Sequence, residues 1–130
     1  MKRQIDNLIS QICHEDTRYS EDAYGLVMEA LSFTQKKFRR QKHVTGKEFL
    51  EGIKILLMDE FGPMAIPVLR HWGIQKTEDF GNIVFNLVQK SVLSKTEQDH
   101  IEHFKNVYDF EVVFKEGYSR KLNKDVSRMR

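Results

Sequence analysis

Mainly helical with a small C-terminal β-hairpin is the fold class that this 130-residue sequence predicts, on three observations. Four stretches before residue 90 repeat apolar residues at the spacing of one helix face. Capping residues, glycines and prolines bracket those stretches where helices start and stop. After Ser91 the helical period gives way to alternation, the spacing of a strand.

The elements follow in order. Residues 4 to 14 place Ile5, Leu8, Ile9 and Ile12 on one face of a short amphipathic helix that must pack on a neighbour. Ser20 then reads as an N-cap, with Glu21 and Asp22 in the first turn, where carboxylates suit the positive end of the helix dipole. Tyr24, Val27, Met28 and Leu31 make the face of this helix, which is predicted to run to about Phe38. Tyr19 and Tyr24 are placed for a hydrophobic staple.

In "HVTGKEFLEGIKILLMDEFG", Thr45 and Glu48 form a capping box, each side chain satisfying the other residue's free backbone N–H, with Val44 and Phe49 as its staple. Phe49, Leu50, Ile53, Leu56, Leu57 and Phe61 are the buried stripe. Gly62 closes the helix in the left-handed conformation, and Pro63 opens the next where a missing N–H costs nothing. Residues 63 to 72 read as a short helix ending at Trp72 and Gly73, in which Pro67 predicts a kink or a late start. Thr77 is expected to cap a last helix, with Phe80, Ile83, Val84, Leu87 and Val88 on its apolar face.

"YDFEVVF" sets Tyr108, Phe110, Val112 and Phe114 on one side and Asp109 and Glu111 on the other, and its β-branched and aromatic residues favour a strand. "SVLSK" is its expected partner. Helices over 45–61, 63–72 and 77–90 with those two strands make a winged-helix-like α+β fold. The alternative is an all-α bundle in which residues 97 to 114 are helical. Residues 1–114 are expected to form one helical domain and residues 115–130 a basic tail.

Composition narrows the functional classes. A net charge of +2 is too small to imply a polyanion partner by itself. Cys13 is the only cysteine, so no disulfide forms within the chain. "MKRQIDNLISQ" is interrupted by Asp6, Asn7 and Ser10 and does not read as a signal peptide. "IKILLM" is far too short to span a bilayer. A soluble cytoplasmic protein without a membrane role is the expectation.

Four groups of residues invite a chemical reading. "HWGIQKTEDFGNIVFNLV" has the outline of a helix-turn-helix, but its second helix opens with Thr77, Glu78 and Asp79, whose carboxylates repel phosphate. Its exposed face is predicted to be neutral, through Asn82, Asn86 and Gln89. The run "KKFRRQKH" gathers Lys36, Lys37, Arg39, Arg40 and Lys42, with Lys47 close behind. Together with Arg120 and Lys121 of the tail these are the candidate nucleic-acid-binding residues, and such a contact would be strongly salt-dependent. Cations in a helix's last turn also suit its dipole, which is the plainer account. "DHIEH" puts His100 and His103 at i and i+3, with Asp99 or Glu97 near, but a zinc site needs more ligands. Asp59 and Glu60 stand near a helix end, where acids are unfavourable. No phosphate loop, nucleophile elbow or metalloprotease motif occurs, so no catalytic residue, metal ligand or cofactor is assigned.

"EALSFTQ", "HVTGKEFLEGI", "FGPMAIPVLRHWGI", "TEDFGNIVFNLV", "LSKTEQD" and "YDF" together resemble a family of conserved, uncharacterised bacterial proteins of the planctomycete, verrucomicrobium and chlamydia type. The resemblance covers about residues 20 to 114. It implies a shared fold and a bacterial cytoplasmic origin, and no activity or site. A non-enzymatic binding module is therefore expected, associated with nucleic acid or ribonucleoprotein through the basic segments. The alternative is a protein–protein interaction adaptor with aromatic residues at its contact surface.

Overall fold

The computed structural model describes residues 2–39, 44–93 and 104–116. In order these form α1 (Lys2–Glu15), α2 (Glu21–Lys37), α3 (Gly46–Phe61), a 3-10 turn (Gly62–Met64), α4 (Ala65–His71), α5 (Thr77–Gln89) and a π-helix (Glu111–Glu116). α2 packs along α3 and also touches α1 and α5, so it is the hub of the bundle.

The boundaries follow from local chemistry. At the start of α3, Glu48 N–H donates to Thr45 Oγ1 and Thr45 N–H donates to Glu48 Oε1, both at 3.0 Å. The expected box is therefore formed, and Val44 and Phe49 beside it are buried. Gly62 ends the helix with φ +50°, its N–H donating to Met58 O. Pro67 is the third residue of α4, where its nitrogen has no intrahelical partner to lose, so the late start relieves the expected kink.

The start of α5 differs from expectation. Thr77 does not cap it. That side chain is buried, and Thr77 Oγ1 accepts from the N–H of Val107 at 3.2 Å. Asp79 does the capping, its Oδ2 accepting from the N–H groups of Gln75 (2.8 Å) and Lys76 (3.1 Å).

The centre of the core is drawn from four helices: Tyr24 and Val27 of α2, Leu50, Ile53 and Leu57 of α3, Leu69 of α4, and Phe80, Ile83 and Leu87 of α5 are fully buried. Burying such a side chain contributes about 1.5–3 kcal/mol. Two glycines set the spacing. Gly52 lets α3 approach α2 so closely that a Cβ there would overlap Thr34 Oγ1. Thr34 is itself buried and donates to Ala30 O at 2.7 Å, so its hydroxyl is satisfied within α2. Gly73, at φ +90°, lies against the carbonyl of Arg18. There Ser20 N–H donates to Trp72 O at 3.2 Å, joining the α4–α5 turn to the α1–α2 turn.

The predicted β-hairpin is not formed. No strand occurs among the described residues, and the all-α alternative fits. Residues 111–116 are π-helical, and Ser91 to Leu93 follow α5 as irregular chain; the rest of "SVLSK" lies outside the described residues. The physical reason is an ambiguity of period. Phe110 and Phe114 are buried at i and i+4, which suits a helix as well as a strand. Val112 decides between them: a strand would bury it with its neighbours, yet it is 48% exposed. Asp109 supplies the helical start, its Oδ1 accepting from Glu111 N–H at 2.9 Å. The segment closes the core through rings: Phe110 meets Phe80 at 6.0 Å and Phe114 at 5.6 Å, while Tyr108 donates to Leu50 O at 2.8 Å.

Candidate functional site

Two polar regions stand out, and one of them is structural. Along α5, Tyr19 Oη donates to Asp79 Oδ1 at 2.6 Å and accepts from Asn82 Nδ2 at 3.0 Å. Asn86 Nδ2 donates to Asp16 Oδ2 at 2.9 Å and to Tyr24 Oη at 3.0 Å. Arg18 grips Asp16 through Nε and Nη2, and its hydrogen bonds hold that carboxyl well below the usual carboxylate range. Burial raises the pKa of Tyr19, with the Asp79 hydrogen bond adding to the effect, so the phenol stays a donor.

This seam fastens the α1–α2 turn onto α5. Asn82 and Asn86, expected on a free face, are half-buried and committed to it. The helix that a helix-turn-helix would offer to DNA is thus covered along that side, and neither a wing nor a reading face is present among the described residues. Cys13 is half-buried beside this seam. Burial first, then Glu21 and Asp16, push its thiol up, away from thiolate chemistry.

The second region is a cleft of about 600 Å³ where α1, α2, the end of α3 and the α4–α5 turn meet. Its apolar lining is Ile9, Leu26, Phe61 and Trp72. Phe61 and Trp72 stand edge to face, centroids 5.9 Å apart, and both remain partly exposed. The same cleft is lined by Asp6 of α1, Glu21, Asp22 and Glu29 of α2, and Glu60 of α3. Among the described residues none of these five carboxylates is in an ion pair.

Not all of that charge serves the fold. Glu21 and Asp22 lie in the first turn of α2, where they oppose the helix dipole favourably. Glu60 lies in the last turn of α3, which holds no basic residue, and there a carboxylate is unfavourable. Glu60 is an exposed residue, yet local desolvation holds its carboxyl above the ordinary range, and a hydrogen bond with Glu29 and that residue's charge raise it further. Two carboxylates close enough to share a proton form a place where a cation would be favoured. No group of three or more His, Cys, Asp or Glu is arranged to hold a metal ion among the described residues. The five carboxylates reach the cleft from α1, α2 and α3.

The residues picked from sequence lie elsewhere. Lys36 and Lys37 are exposed in the last turn of α2, Arg39 is exposed just beyond it at φ +55°, and Lys47 is exposed in the first turn of α3. Arg40, Lys42, Arg120 and Lys121 lie outside the described residues, as do Glu97, Asp99, His100 and His103. The cleft was missed, although Asp59 and Glu60 at an unfavourable helix end were a signal of it. No helix of the described residues is long and apolar enough to cross a membrane. No protein-family model matches the chain, and neither a curated protein nor a solved structure matches it.

Proposed function

We propose that this protein is a non-enzymatic interaction adaptor that receives a cationic segment of a partner protein in the acidic cleft. The observation that carries the reading is the set of five carboxylates, none in an ion pair among the described residues, around the partly exposed rings of Phe61 and Trp72. Lysine or arginine side chains complement the charge of these exposed carboxylates. The apolar floor takes an aliphatic stem or side chain, and the rings add cation–π attraction.

Trp72 is the only tryptophan, so its emission reports occupancy of this site. Titration with a short synthetic peptide of arginine and leucine is expected to change that emission saturably, more weakly at high salt. Each partly exposed charge contact is worth roughly 0.5–1 kcal/mol, so a Glu29→Gln, Glu60→Gln double variant is expected to bind about tenfold more weakly. A flat titration at low salt, or an unchanged affinity in the double variant, would sink the reading.

Contact with nucleic acid is the second reading, favoured by the exposure of Lys36, Lys37, Arg39 and Lys47 around the α2–α3 connection. It expects RNA or DNA binding at low salt that falls steeply with added salt and is lost when Lys36, Lys37, Arg39 and Arg40 become glutamine. Binding absent at low salt, or indifferent to those substitutions, removes it.

A further inference from the structure

One residue lining the cleft has no side chain. Gly25 lies in the interior of α2 and lines the cleft. Glycine weakens a helix interior relative to alanine, because it surrenders more backbone freedom and covers nothing. Two other helical glycines have a packing reason. A Cβ at Gly52 would overlap Thr34, and one at Gly81 would press on the Phe104 ring at 3.0 Å. Gly25 has none: it is exposed, its backbone is ordinary helix, and a Cβ there would meet no atom within 4 Å.

What the missing side chain leaves is room. Asp22, Gly25 and Glu29 stand at i, i+3 and i+7 and so share one face of α2, with the bare position between two carboxylates. Any side chain at residue 25 would project into the cleft between them. We infer that Gly25 marks where the backbone of the bound segment crosses α2, and that this segment sets a lysine or arginine at Glu29 and Glu60 and an apolar residue on Phe61 and Trp72. The inference rests on the cleft being the contact surface and goes further by naming the binding mode. Charge decides the class of occupant: an acidic or neutral segment would leave the carboxylates facing one another without compensation.

The test uses the full chain, with the arginine–leucine peptide as probe and Trp72 emission as readout. Gly25→Ala removes a helix-weakening residue from a site with open space above it, so it is expected to raise Tm by about 2–5 °C. The same substitution is expected to weaken peptide binding about threefold, and Gly25→Met about tenfold, because each side chain occupies the track. Replacing the leucines of the peptide by serine is expected to weaken binding to the unaltered protein comparably. Gly25 variants that are more stable and bind the peptide unchanged would overturn the inference. Spermidine binding as tightly as the peptide would also overturn it, since charge alone would then suffice. In either case a loss of affinity in Glu29→Gln, Glu60→Gln leaves the cleft as the contact surface. If those variants too bind normally, both readings fall together.

Discussion

Alanine at Gly73 is expected to destabilise the fold by about 3 kcal/mol or more, one of the two largest effects of a small substitution in this bundle. Two causes add. The backbone at Gly73 has φ +90°, a conformation strained for any residue with a Cβ. That Cβ would also overlap the backbone carbonyl oxygen of Arg18. A flexible side chain could move aside, but this carbonyl cannot. It sits in the α1–α2 turn, which is tied to α4 by Ser20 N–H to Trp72 O and to α5 by the Tyr19 hydroxyl. The turn containing Gly73 is equally fixed, by Gly73 N–H to Arg70 O and Ile74 N–H to Leu69 O. Urea denaturation followed by far-UV circular dichroism measures the change. A midpoint indistinguishable from that of the unaltered protein would mean that the two turns are not locked as described.

Gly52→Ala is expected to cost about 2 kcal/mol through a different mechanism, overpacking at a helix crossing. Gly52 has ordinary helical dihedrals, so alanine would favour the isolated helix. The penalty comes from Thr34, whose Oγ1 occupies the space and is held by its bond to Ala30 O. The sign of the coupling is therefore predictable. Thr34→Ala, Gly52→Ala is expected to recover part of the loss, since removing Oγ1 opens the contact while the Thr34 Cβ stays at 3.0 Å. Strict additivity of the two substitutions in the same denaturation experiment would show that this contact does not set the α2–α3 distance.

Glycine carries three separate meanings here, and local sequence distinguishes only one of them. Gly73 is the turn expected after Trp72, whereas Gly52, a close approach, and Gly25, an open position, both stand inside helical stretches. The difference lies in what faces each from a distant part of the chain: Arg18, Thr34, or nothing.

The same division runs through the whole fold. Helix starts and stops acting over three or four residues were legible in sequence, because their partners are adjacent: Thr45 with Glu48, Gly62 with Pro63, and the apolar stripe of α3. Where a near residue competes with a distant one, local inference failed. Thr77 looked like a cap and was drawn instead to Val107, and the alternation around Phe110 looked like a strand because spacings of two and of four both fall on Phe110 and Phe114.

The candidate cleft was the least legible feature. Its carboxylates and rings come from Asp6 at one end of α1 to Trp72 in the α4–α5 turn, and only the packing of α1, α2 and α3 brings them to one surface. Sequence by itself determined where this chain becomes helical as far as α5, because capping and apolar period are short-range. Tertiary structure alone decided which faces are sealed and which remain open, because burial and charge compensation depend on residues far apart in the chain.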